Sequence, residues 1–208
     1  MSAMKVVRIA TIVEGHGECE AVPVLIRRIA LEVDSGFVPI ALPPIRIPAS
    51  RLVKEGELER AVKLAALKVQ GFGGIAVIID CDDGCPAQEG PRLLDRAKLV
   101  SGDMPVSVIL AKREYEAWFL AAAFSLRCKR QLSPELCSPE NAESIRDAKG
   151  WLSERMPQGC RYSETSDQAA LTACFDMSSA RCADSFDKCY RELHAMLSRL
   201  FIAATEDT

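Results

Sequence analysis

Two short apolar runs, Val6 to Val13 and Gly74 to Ile79, each break off into acids, and no other feature constrains the fold of this chain as strongly. The first leads into Glu14-Gly15-His16-Gly17-Glu18 and the second into Asp80-Cys81-Asp82-Asp83. Continuous β-branched runs bounded by turn formers read as strands buried on both faces, the pattern of parallel sheets covered by helices. In open sheets of this kind the groups just past the carboxyl ends of the strands line a common crevice. Four or five carboxylates would meet there, and like charges held that close require a shared proton or a hard divalent cation. The expectation is a Mg²⁺ or Mn²⁺ site.

The period of the sequence alternates between strand and helix. Lys5 to Val13 reads as the first strand, and Glu18 to Val33, with Val22, Leu25, Ile26, Ile29 and Ala30 on one stripe, as a helix opening at the glycine turn. The prolines at 39, 43, 44 and 48 put Phe37 to Pro48 at a sheet edge, with Ile45-Arg46-Ile47 as a short strand. A helix over Glu55 to Gln70, a strand over Gly74 to Asp80, a helix over Pro91 to Val100, a strand over Val106 to Ala111 and an apolar helix over Glu114 to Phe124 complete a βα alternation. Beyond Arg127 only helices are expected, over Ser138 to Met156, Asp167 to Asp176 and Arg181 to Ile202, with Ser138-Pro139-Glu140, Ser166 or Asp167, and Ser178 to Ala180 as caps. The organisation read from this is an α/β domain over 1–126 with a helical extension over 127–208 packed on it.

At 208 residues and 49% hydrophobic, the chain can bury a full core. No run approaches the ~20 apolar residues of a membrane span, and Met1 to Lys5 enters a strand pattern instead of a leader's apolar stretch, so a cytosolic protein is expected. The nine cysteines are odd in number and Cys174 and Cys189 fall in helical patterns, which reads as reduced thiols; without a Cys-x-x-Cys pair and with only His16 and His194, a closed zinc site is disfavoured. A net charge of −3 argues against a large standing positive field, but bound metal would reverse the local sign.

Within the acid clusters each residue type has a chemical use. Glu14 and Glu18, one helical turn apart, can face one crevice, while Gly15 and Gly17 allow a tight turn and let a phosphate approach the helix start. Asp80 and Asp82 share a side if the strand continues, and Asp83 turns away to cap the next turn; an ordinary turn would also explain an Asp-Cys-Asp-Asp-Gly run. In Lys112-Arg113-Glu114-Tyr115-Glu116 the two cations can face a phosphate, and Glu116, ahead of Ala117-Trp118, is favoured over Glu114 as a further ligand. In the extension Arg161, Gln168, Arg181 and Lys188 can close over the acids, or belong to a capped loop that packs helices on the sheet. His16 can act as a base at the mouth of the site or be a solvated turn residue.

At these residues the chain resembles the Toprim fold of topoisomerases, bacterial primases and the overcoming-lysogenization-defect nucleases, which pairs a glutamate after the first strand with an Asp-x-Asp after a later one, here Glu14 and Asp80-x-Asp82. Glu14-Gly15-x-x-Glu18 is closer to the overcoming-lysogenization-defect type, and an uncharacterised bacterial Toprim-like family of about this length is similar along nearly the whole chain, through Val13 to Glu18, Glu114 to Phe119, Tyr162 to Gln168 and Ser185-Phe186. The resemblance implies a Rossmann-like sheet, with Glu14, Glu18, Asp80, Asp82 and Glu116 holding one or two Mg²⁺ and Lys112 near the scissile phosphate. It further implies nuclease action on DNA or RNA, in defence against foreign DNA beside an ATPase partner. No tyrosine matches the topoisomerase nucleophile, and no Gly-x-x-x-x-Gly-Lys-[Ser/Thr] motif is present, so an ATPase would be a separate chain. Two rivals stand beside the nuclease: a non-catalytic partner-binding module, and an enzyme acting on a small phosphorylated molecule such as a nucleotide.

Overall fold

The computed structural model describes residues 5–206; the Met1 to Met4 part of the leader reading and the last two residues of the extension lie outside them. Strand β1 (Arg8–Val13) runs beside β4 (Gly73–Asp80), which pairs with β5 (Val106–Ala111), and every pairing between strands is parallel. On the other side of β1 lie two short strands, β2 (Ile40–Ala41) and β3 (Ile45–Arg46), the proline-rich edge. Prolines cannot donate to a ladder, and the edge is accordingly cut into two-residue pieces. This is an α/β fold with a Rossmann-like parallel sheet flanked by helices.

Side chains leave a strand alternately up and down, so each strand feeds two cores. Ile9 and Val13 of β1, Ala76 and Ile78 of β4, and Ile109 and Ala111 of β5 face one side; Ala10, Ile12, Ile75, Val77, Ile79, Val108 and Leu110 face the other. The second face is covered by α2 (Glu57–Val69) and α3 (Pro86–Ser101). The first is covered by α1 (His16–Val33) and the 22-residue final helix, whose buried side chains include Phe186, Cys189, Leu193 and Leu197. Residues after Arg127 enter that same core through Leu132, Leu136, Leu152, Leu171 and Phe175, so the extension shares its hydrophobic interior with the sheet.

The extension holds less helix than its periodicity suggests. The stretch 138–156 contains only a 3₁₀ turn, Ala142–Ser144, and one short helix, Ala148–Ser153. A second irregular stretch leads into a π-turn, Glu164–Gln168, continued by Ala169–Thr172 and then Met177–Ala180 before the long helix Asp184–Thr205. The caps also differ. Asp147 and Asp176 accept the backbone N–H groups of Gly150 and Ser179, Ser163 precedes the π-turn, and Ser178 lies inside a helix. Likewise the apolar helix after β5 is only Ala117–Ala121 with a 3₁₀ turn behind it. Burial on all sides, not helical repeat, organises this region: Tyr115, Trp118, Phe119, Phe175 and Phe186 form one aromatic cluster with ring centres 4.5–5.6 Å apart. Such contacts add about 0.5–1.5 kcal/mol per pair beyond area burial.

Among the described residues no helix is long and apolar enough to cross a membrane. All nine cysteines are free thiols.

Candidate functional site

The carboxyl ends of β1, β4 and β5 deliver their acids to one place. Glu14 follows β1 directly, Asp80 is the last residue of β4, and Glu116 lies five residues past β5. Glu116 is 0% exposed, an unusual place for a carboxylate, which needs partners to be tolerated there. Its Oε1 accepts from the Tyr162 hydroxyl at 2.9 Å and from Gln168 Nε2 at 3.1 Å, while Oε2 is buried with no partner at all. Burial therefore pushes the Glu116 carboxyl up to about 7, against the pull of Lys149 and the Tyr162 hydrogen bond. Asp80 is raised well above the ordinary carboxylate range, first by burial and then by the charges of Glu18, Glu116 and Glu14. Its Oδ1 is held by the Tyr115 N–H at 2.9 Å.

Glu18 has a different role from a free ligand. From the first turn of α1 its Oε2 accepts the backbone N–H groups of Glu14 at 2.9 Å and Gly15 at 2.7 Å, which closes the end of β1 onto the helix start. Burial raises its pKa and the two N–H groups oppose that rise. Glu14, half-buried above it, keeps an Oε2 without a partner.

The strand does not continue through Asp82, so Asp80 and Asp82 are not related by strand alternation. Asp82 (φ 41°) and Arg113 (φ 68°) both lie in the left-handed region, which costs a non-glycine residue of order 1 kcal/mol, and they bridge the tips of β4 and β5. Asp82 is exposed at the rim of a cavity of about 350 Å³, whose lining includes Glu14, Ser50, Asp80, Gly84 and Arg92. Asp83 forms ion pairs with Arg113 and, at 2.8 Å, with Arg146. Lys112 Nζ donates to the Gly84 carbonyl at 2.6 Å, across the acidic loop.

Other expected contributors are placed elsewhere. Gly17 does not open toward a ligand: a Cβ there would meet the Gln168 side chain and the Glu164 carbonyl, the latter at 2.6 Å, so the glycine lets the π-turn sit directly on α1. Gly15 stays at the helix start, beside the Glu18 carboxylate. Arg161 is exposed and lines a separate hollow with Ser153, Met156 and Pro157. Arg181 pairs with Asp187, and Lys188 with Glu192, on the last helix. His16 is exposed, and His194 stacks on Tyr190.

Lys149 and Tyr162 are the residues that spacing did not single out. Lys149 Nζ lies 2.7 Å from Glu164 Oε2, and although burial disfavours its charge, Glu116, Glu164 and Asp80 together hold its pKa above the ordinary lysine value. A lysine between Ala148 and Gly150 in a polar stretch carries no periodic or motif signal. Tyr162 and Gln168, six residues apart across an irregular segment, become neighbours only because both reach Glu116.

The donor set suits a hard cation in kind: oxygens only, two of them buried and unpartnered on Glu14 and Glu116, with Asp80 destabilised by both. Among the described residues no three His, Cys, Asp or Glu side chains are grouped tightly enough to hold a metal ion as they stand. The two observations agree if the acids gather electrostatically without closing into a complete cage. In comparisons with known proteins no family model matches the chain, and neither a curated protein nor a solved structure matches it.

Proposed function

We propose that the protein is a Mg²⁺- or Mn²⁺-dependent phosphodiesterase that acts on DNA or RNA, built on a Toprim-like sheet. The observation that carries this is the unpartnered Oε2 of the fully buried Glu116, beside Asp80 and the equally unpartnered Oε2 of Glu14. A protein that only needed stability would gain by replacing such a carboxylate with an apolar side chain. Buried groups with strongly shifted pKa values concentrate where chemistry is done.

Glu14, Asp80 and Glu116 would hold the ion, with Asp82 at the rim of the cavity that Glu14 and Asp80 line. When bound, the ion neutralises charge on phosphate oxygens and makes a ligated water more acidic. Tyr162 and Gln168 fix one oxygen of Glu116 and leave the other free. Glu18 holds the main chain under Glu14. Lys112, Arg113, Arg146 and Arg92 ring the acids and supply the positive rim that a polyanion requires despite the net charge of −3. Action in defence against foreign DNA, with a separate ATPase chain delivering the substrate, follows from the same resemblance.

Purified protein incubated with supercoiled plasmid, linear DNA and RNA in Mn²⁺ tests this. Cleavage by the wild type that falls at least about 100-fold in Glu14→Ala, Asp82→Ala and Glu116→Gln supports the reading. Cleavage that survives all three substitutions, or none in the wild type, counts against it. A small nucleotide is the second reading, favoured by a cavity of about 350 Å³, which falls in the range of small-ligand sites. A mononucleotide phosphodiester in the same assay separates the two.

A further inference from the structure

Three segments far apart in the sequence meet at the tips of β4 and β5. Asp83 follows β4, Arg113 follows β5, and Arg146 comes from the extension, just ahead of the helix Ala148–Ser153. Asp83 Oδ1 accepts from Arg113 and, at 2.8 Å, from Arg146, whose same nitrogen lies 3.1 Å from Oδ2. A carboxylate that bridges two guanidinium groups sits where arginines would equally take a phosphate. With Asp82 and Glu114 the three residues line a hollow of about 80 Å³. That is far smaller than a site for a whole nucleotide, so it suits one anionic group of a longer ligand.

The main chain around Asp83 is pinned. Asp82 N–H donates to the Arg113 carbonyl at 3.2 Å, Gly84 N–H to the Cys81 carbonyl at 2.7 Å, and Lys112 Nζ to the Gly84 carbonyl at 2.6 Å. Arg113 is held as well: its side chain is only 19% exposed, it donates to the Asp82 carbonyl at 3.3 Å, and its Nε is buried without a partner. The side chains of Asp83 and Arg146, by contrast, are 67% and 71% exposed. Exposed ion pairs contribute little to stability, so the Asp83 carboxylate can swing out at small cost while the Arg113 guanidinium stays in place.

From this geometry we infer that Arg113 and Arg146 form a clamp for one phosphodiester of a nucleic-acid strand, and that Asp83 fills the clamp as an internal stand-in until the strand displaces it. The inference rests on the nucleic-acid reading above and deepens it, since it names where a backbone phosphate sits and what it must displace. A phosphodiester carries the same single negative charge as the carboxylate and likewise offers two oxygens, so the exchange leaves the charge of the hollow unchanged. Asp82 and Glu114 on the other walls repel a second anion, so a phosphate replaces Asp83 and does not join it.

Fluorescence anisotropy of a fluorescein-labelled single-stranded oligonucleotide, in EDTA so that no metal-dependent step enters, tests the idea. Asp83→Ala binds about tenfold more tightly than wild type, because two exposed ion pairs no longer compete with the strand. Removing any surface acid favours a polyanion somewhat. Asp103→Ala, ahead of β5 at the other end of the sheet, is the charge-matched control and changes affinity by less than about twofold at physiological ionic strength. Adding Arg146→Met to Asp83→Ala returns the affinity to within about twofold of wild type, because the two residues act as one unit. An Asp83→Ala variant that binds no more tightly than Asp103→Ala, or a gain that survives Arg146→Met, overturns the inference and leaves the nucleic-acid reading standing. No binding by either wild type or Asp83→Ala overturns both.

Discussion

Replacing Glu116 by glutamine removes the charge that the fold tolerates least while keeping the shape of the side chain. The amide oxygen still accepts from Tyr162 and Gln168, and the group that replaces the unpartnered oxygen is neutral. Burial raises the Glu116 pKa from 4.5 to about 7, so the folded state holds this proton more tightly than the unfolded state does. With a raised carboxyl pKa, the unfolded chain binds fewer protons between those two values, and stability falls as pH climbs from about 4.5 to about 7. At 1.36 kcal/mol per pH unit the accumulated penalty is about 3 kcal/mol above neutrality. Glu116→Gln escapes it. In a chelating buffer at pH 8 the variant should melt roughly 6–12 °C above wild type, since 1 kcal/mol corresponds to about 2–4 °C for a domain of this size. The two curves should converge near pH 4.5. Added Mg²⁺ or Mn²⁺ should raise the wild-type melting temperature and leave the variant nearly unmoved. Differential scanning calorimetry across pH 4.5 to 8, with and without ion, makes the comparison. A variant that melts at or below wild type at pH 8, or a difference that does not change with pH, would refute the argument.

Gly17→Ala should destabilise by about 2 kcal/mol, because its methyl meets the Glu164 carbonyl and the Gln168 side chain; a lower melting temperature with earlier proteolysis after residue 160 is the expected signature. Glu59 accepts two hydrogen bonds from Arg96 at 2.7 and 2.9 Å, which hold its carboxyl down at about 2. That stabilisation is present above the ordinary carboxylate value and is lost as pH falls through about 2, so urea midpoints of wild type and Glu59→Gln should differ at pH 7 and merge in strong acid. Solvent screening at this partly exposed pair limits the difference to about 1 kcal/mol. Alkylation of the denatured protein without reductant should label nine cysteines, since all nine are free, and any smaller number contradicts the structure.

Much of the sheet was readable in one dimension. A strand buried on both faces must be apolar at every position, and Val106 to Ala111 gives the same limits from sequence and structure, while β4 shifts by a single residue at its start. The acids just past those strands were equally legible, because a parallel strand that ends in a carboxylate puts it in the crevice whatever the rest of the chain does. The extension was not legible, because its 3₁₀, π and short α turns are held by tertiary burial around Trp118 and Phe186 and carry no sustained period. The same limit applied to individual side chains. Nothing in the order of residues says that Glu18 spends its carboxylate on the chain before it, or that strand alternation stops at Asp82. Nor does it say that Lys149, Tyr162 and Gln168 come back to meet Glu116. Where the negative charge gathers follows from the order of residues, since it depends on local strand ends. Which oxygen of Glu116 stays free is settled by the folded chain, because hydrogen bonds between residues 46 and 52 positions apart form only once the chain has closed on itself.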